Sequence, residues 1–169
     1  PNINITFEVN PDKKRSETYL NGISVEKEIR KMHVAKHVSA ISAIGEVREK
    51  LVAMQQNFGK DGAVVMDGRD IGTVVFPNAE VKLFMTATKD VRAQRRYDEL
   101  TGKGEKVNLD EIRQNLVRRD HIDMNRDISP LKKAEDAIEI DNSELSREDQ
   151  LELAMQIIQK SLDHSKIEA

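Results

Sequence analysis

Gly62-Ala-Val-Val-Met-Asp67-Gly68-Arg69-Asp70-Ile-Gly72-Thr73 is the stretch on which the fold of this 169-residue chain turns. Ala63 to Met66 have the length and composition of a buried strand, so a strand is expected over 63–67. The run ends in a carboxylate, a glycine and an Arg–Asp pair. Open α/β sheets hold their ligands beyond the carboxyl ends of the strands. There Asp67 can hold Mg²⁺ or its waters, Gly68 lets backbone approach a ligand, and Arg69 can fork onto a phosphate. Asp-Gly is also a common surface turn. The strand in front of it and the arginines behind it favour a phosphate-handling site.

Two further strands are expected at 81–86 (Val-Lys-Leu-Phe-Met-Thr) and 137–141. Thr88 can cap a helix running through Arg92, Arg95 and Arg96 to about Leu100. Asn108, with Glu111 three residues on, can cap another to about Asn125, and Ser146 a last one with a Leu151, Ala154, Ile157, Ile158, Leu162 stripe. Strands alternating with helices after residue 60 imply an α/β fold with a parallel sheet. Residues 101–108 carry Gly102, Gly104 and several Lys and Glu, and are expected to form a mobile lid. Upstream, residues 3–9 alternate apolar and polar with period two, a half-buried strand. A second strand, 17–20, meets Asn21-Gly22, a strong hairpin dipeptide. Ile29 to Ile44 mark one or two helices with a break near Gly45. Val47 to Phe58 continue helical spacing to a stop at Gly59. The expected division is 1–60, a small antiparallel β insert with helices, and 61–169, the core with the lid.

Net charge is −3 and aromatic residues make up only 4%, so neither a nucleic-acid nor a membrane partner is expected. No apolar run approaches the length of a membrane span. The absence of Cys excludes disulfides and thiolate metal sites and suits a reducing compartment, so a cytoplasmic location is expected. Eight of the twelve Arg lie between Arg69 and Arg126. Arg is the side chain suited to bidentate phosphate recognition.

Arg92 and Arg96 share a helix face, which in most charge runs is simply solvated. Here the helix leads straight into the Gly/Lys loop, as in enzymes that close a lid over a transferring phosphoryl group. Arg119, Asp123 and Arg126 stand at i, i+4 and i+3 spacing and form one polar ridge. It reads either as an intrahelical salt-bridge ladder or as forks and an acceptor offered to a nucleotide. His33 and His37 have the i, i+4 spacing of a zinc helix. Val34 stands where that pattern needs its Glu, and no third ligand is evident.

Asp67-Gly-Arg-Asp70-x-Gly-Thr-Val-Val-Phe-Pro77-x-Ala79-x-Val-Lys82, Arg92-Ala-x-Arg95-Arg96, Arg119-Asp120-x-x-Asp123-x-Asn125-Arg126 and Pro130-Leu131 together resemble bacterial cytidylate kinases, of the nucleoside monophosphate kinase family. Val34-Ala-x-x-x-Ser39 and Val47-Arg48-Glu49 resemble its nucleotide-recognition helices. The resemblance implies a P-loop kinase-type parallel sheet and transfer of the γ-phosphoryl of ATP to CMP or dCMP, with Mg²⁺. It implies that Ser39, Arg48 and Arg126 meet the cytosine, that Asp70 lines the monophosphate site, and that Arg119 and Asp123 address the sugar. Asp67 would lie near Mg²⁺, directly or through water, and Arg92, Arg95, Arg96 and the lid near the phosphates. The family opens with a Gly-rich Walker loop, yet no G-x-x-x-x-G-K-[ST] occurs in the 169 residues. The resemblance therefore implies a fragment, with a gap in its parallel sheet and no kinase activity alone. The alternatives are a non-catalytic nucleotide-binding or interaction module and, less favoured, a nucleic-acid binder using the Arg cluster.

Overall fold

The computed structural model describes residues 3–12 and 15–167; the side chains of Ser39 and of residues 164–167 fall outside the description. The chain forms two compact units, Pro1–Ser42 and Ala43–Ala169.

The first unit opens with an antiparallel meander of β1 (Ile5–Asn10), β2 (Arg15–Leu20) and β3 (Ile23–Ser24). Asn21 and Gly22 both adopt positive φ, as the two central residues of a tight hairpin turn must. The registers Ile5↔Leu20 and Leu20↔Ile23 gather Ile5, Phe7, Val9, Leu20 and Ile23 on one face. Alternation says which residues share a face; it does not say which face is covered. Phe7, Val9 and Ile23 are exposed, while Glu17 and, just past β3, Glu26 are buried. A single 3₁₀ turn, Glu28–Arg30, leads into α1 (Met32–Ser42).

The second unit begins with α2 (Gly45–Phe58), which stops where the Gly59 N–H turns back to the Gln56 carbonyl. The expected strand over 63–67 is not formed. The segment forms no regular element and pairs with no other strand among the described residues; Ala63 takes a positive φ, and Val65 is 98% exposed. An apolar extended run becomes a strand only when a neighbour supplies the ladder. Next comes a π-turn over Ile71–Val75, in which the Asp70 carbonyl accepts from the N–H groups of Thr73, Val74 and Val75, at 3.3, 2.9 and 3.3 Å. Such turns are frequent at functional sites.

β4 (Leu83–Thr86) and β5 (Ile138–Asp141) pair in parallel, Leu83↔Ile138 through Thr86↔Asp141. A parallel pair needs a crossover, here α3 (Lys89–Gly102) and α4 (Leu109–Asn125). Ala93 and Leu100 of α3 and Ile112 of α4 are buried. Each large side chain so covered contributes about 1.5–3 kcal/mol. The expected caps are present: Thr88 Oγ1 accepts from Val91 N–H, Asn108 Oδ1 from Asp110 and Glu111, and Ser146 Oγ from Asp149. α5 (Arg147–Ile167) closes the chain. No helix among the described residues is long and apolar enough to cross a membrane.

Candidate functional site

Within the second unit, four elements deliver charged side chains to one buried cluster. Arg48 comes from the first turn of α2, and Arg69 and Asp70 from the segment before the π-turn. Arg92 comes from α3, and Arg119, Asp120 and Asp123 from α4. Arg126 stands at the C-cap of α4, where the backbone turns extended and its Nε donates to the Ser129 carbonyl at 2.6 Å. A Cβ at Gly68 would come within 2.9 Å of the Ile71 side chain, so glycine at this position lets the loop fold onto its own π-turn.

Three carboxylates organise the cluster. Asp70, 2% exposed, receives the Arg48 guanidinium on both oxygens and lies 3.9 Å from Arg126. Asp123, also 2% exposed, faces Arg69 at 3.4 Å, Arg126 at 3.6 Å and Arg119 at 3.7 Å. Asp120 receives Arg92 on Oδ2 and faces Arg69 at 3.5 Å with Oδ1. Five guanidinium groups thus stand against three carboxylates, leaving two positive charges in surplus. Arg48 Nε, Arg92 Nε, Arg119 Nε and Arg126 Nη2 are buried without a hydrogen-bond partner, as are Asp120 Oδ1 and Asp123 Oδ2, the last facing Arg119 Nε at 3.7 Å, beyond hydrogen-bond distance. A buried donor without an acceptor costs about 1–3 kcal/mol, more when it is charged. Burial, then the Arg69 charge, lowers the affinity of the Arg119 guanidinium for its proton below the ordinary value. Burial, then Arg48, does the same at Arg126. Both groups stay charged at neutral pH, and crowding of like charge makes the cluster attractive to an anion.

The sequence ridge Arg119–Asp123–Arg126 is therefore real but only part of the site. The structure brings Arg48, Arg69, Asp70 and Arg92 to it. Asp120, quoted in the motif but given no role, completes the cluster. Its pairing with Arg92, 28 positions away, has no signature in spacing. The only sequence cue was its place beside Arg119.

The other expected residues lie elsewhere. Arg95 donates to the Asn142 side chain and carbonyl at 2.9 and 2.7 Å and to Leu145 at 3.3 Å, beyond the carboxyl end of β5. Arg96 pairs with Glu99 at 2.6 Å, and Glu99 also takes Lys103 at 2.5 Å. Asp67 is exposed, one residue before Gly68. Ser39 belongs to α1 of the first unit and its side chain is outside the description. The 101–108 loop is shorter than expected, because α3 continues to Gly102 and leaves six residues before α4. Among the described residues no three His, Cys, Asp or Glu are grouped to hold a metal.

A family model described as cytidylate kinase matches residues 2–160. A cytidylate kinase of Bacteroides fragilis is 54% identical over 160 residues, which is 95% of this chain and 70% of the relative. One from Flavobacterium psychrophilum is 54% identical over 158 residues, 94% of this chain and 70% of the relative. One from Cytophaga hutchinsonii is 50% identical over 155 residues, 92% and 66% of the two chains.

Proposed function

The chain belongs to the cytidylate kinase family, and from that premise we propose that its buried Arg–Asp cluster is the place where a nucleoside monophosphate is bound and phosphorylated. The activity is that of a nucleoside monophosphate kinase, ATP-dependent phosphoryl transfer; the proposed acceptors are CMP and dCMP, giving CDP and dCDP. One observation carries the placement. A cluster with two surplus positive charges and four buried guanidinium donors lacking a hydrogen-bond partner suits a nucleoside monophosphate, whose phosphate supplies the charge and whose phosphate, sugar and base oxygens supply acceptors.

Phosphoryl transfer asks for positioning and for neutralisation of charge on the equatorial oxygens, with little covalent chemistry by the protein. In this reading Arg69 and Arg92 are the arms closest in kind to that task, each held by Asp120, with Arg92 Nε left without a hydrogen-bond partner. Arg48 and Arg126, both facing Asp70, read the cytosine with the Nε and Nη2 that have no hydrogen-bond partner. Arg119 and Asp123 address the sugar. Arg95 and Arg96 on α3 serve the ATP side. Arg95 stands beyond the carboxyl end of β5, where open α/β sheets take their ligands. The 103–108 connection is the lid.

Asp67 fits a magnesium ion. Mg²⁺ takes one or two protein carboxylates and fills its octahedron with water and phosphate oxygens, and Asp67 is a single exposed carboxylate beside the phosphate-handling turn. Bound with ATP, Mg²⁺ supplies charge neutralisation on the transferring group. Asp67 would hold one of its waters or the ion itself.

A coupled assay of ADP release with Mg·ATP, run on a form of the protein that carries the family's Walker loop, tests the reading of the base. The enzyme should prefer CMP over UMP, and Arg48→Met should cut the ratio of their kcat/KM values by about tenfold, since a site built to hydrogen-bond a polar edge discriminates strongly. A ratio preserved within about twofold would place base recognition elsewhere.

A further inference from the structure

We propose that Asp120 is a positioning residue for the transfer step, holding Arg69 and Arg92 as a pair of forks on the phosphoryl group. The proposal rests on the reading of the cluster as the phosphate site. Arg69 and Arg92 lie on separate segments, and long guanidinium side chains adopt many conformers unless something fixes them. Asp120 offers one oxygen to each: Oδ2 to Arg92 and Oδ1 to Arg69. Asp120 is itself fixed, being 8% exposed on a helix that packs on α3, with Ile112, Ala93 and Leu100 all buried. One carboxylate cannot neutralise two guanidiniums, so a positive charge remains at this corner. Arg92 Nε and Asp120 Oδ1 are both buried without a hydrogen-bond partner, so the corner is built but unsatisfied.

Arg69 has a second carboxylate in Asp123 at 3.4 Å. Among the described residues Arg92 has Asp120 alone. Loss of Asp120 should therefore release Arg92 more than Arg69. A purely structural staple between α3 and α4 would also use this position. However, the apolar contact already joins the helices, and the exposed Arg113–Asp90 pair at 3.0 Å joins them again.

A double-mutant cycle in the active enzyme separates the two roles. Asp120→Asn keeps the size and removes the charge. It should lower kcat for CMP phosphorylation by about 10–100-fold while changing the KM for CMP less, because forks on the transferring group act mainly in the transition state. In an Arg92→Met background the same change should cost no more than about twofold, since the one fork Asp120 then still faces, Arg69, is also held by Asp123. Asp120→Glu should recover part of the lost kcat. Should Asp120→Asn not fold, the cycle is run with Asp120→Glu, with the same loss of effect expected in the Arg92→Met background. A kcat loss that is equal with Arg92 present or absent overturns the proposal alone, as does an unchanged kcat. If Arg69→Met and Arg92→Met themselves leave kcat/KM unchanged, the phosphate reading fails and the proposal fails with it.

Discussion

The two units bury charge in opposite ways. In the first, the Glu26 carboxylate is 6% exposed and fully answered: Oε1 takes Arg30 at 2.7 Å, and Oε2 takes the N–H and hydroxyl of Thr18, both at 3.2 Å. All its partners lie within eight residues along the chain. In the second, three carboxylates are shared among five guanidiniums drawn from four segments, and four N–H donors and two carboxylate oxygens have no hydrogen-bond partner. A buried charge whose every atom is satisfied holds a fold together. A buried cluster with charge and donors left over is poised for something from outside. Burial is common to both regions; the difference is the remainder.

The sharpest way to break this distinction is to remove a cation from the surplus. Arg126→Met should lower kcat/KM for CMP by about 10–100-fold, the loss of a charged hydrogen bond to the base together with one of the cluster's surplus charges. Its stability cost should be modest, under about 2 kcal/mol, although removing one partner of an isolated buried pair costs about 3–5 kcal/mol. The reason is that Asp70 keeps Arg48, and Asp123 keeps Arg69 and Arg119. Melting curves and steady-state kinetics on the same variant check both halves. A large stability loss with kcat/KM intact would make the cluster structural.

Glu26→Gln probes the other side of the comparison. It removes the charge-assisted bonds to Arg30 and Thr18, and should destabilise the protein by about 1–3 kcal/mol while leaving kcat/KM for CMP within about twofold. The effect should depend on pH. Burial opposes ionisation of Glu26, but Arg30 and Thr18 outweigh it and hold the carboxyl below its ordinary value of 4.5. A carboxyl with a depressed folded value stabilises fully above the ordinary value and loses that contribution as pH falls through the folded one. Thermal melts from pH 7 downwards should show wild type and variant converging below pH 4.5, and parallel curves would contradict the account.

Asn108→Ala should have the smallest effect, about 1 kcal/mol in a thermal melt, by removing the acceptor for the Asp110 and Glu111 N–H groups. It touches neither region of buried charge.

Much of the fold was legible because it depends on local chemistry. Asn21-Gly22 could only be a tight turn, Thr88, Asn108 and Ser146 could cap, and Gly59 could stop a helix. These requirements are met within a few residues. The strand over 63–67 was not legible, because pairing is supplied by a neighbour and the apolar run encodes only the wish for one. The covered face of the meander was missed for the same reason. At the site, residues on one helix were legible: Arg119, Asp123 and Arg126 converge as their spacing requires. Arg92, Arg95 and Arg96 share a helix, yet Arg92 turns to Asp120, Arg96 to Glu99 and Arg95 to the Asn142 turn. Their destinations depend on what α4 and the chain after β5 present, which no periodicity records. Asp120 escaped notice because its partners are assembled by the packing of α3 on α4.

The central claim is that the surplus of the second unit is reserved for a phosphate dianion. Calorimetric titration with CMP and with cytidine, which differ only in that group, tests it most directly. CMP should bind at least about 100-fold more tightly, roughly 2.7 kcal/mol, with the gap shrinking as salt screens the cluster. Equal affinities for CMP and cytidine would contradict the account, because the buried arginines would then be indifferent to the one group they are arranged to receive.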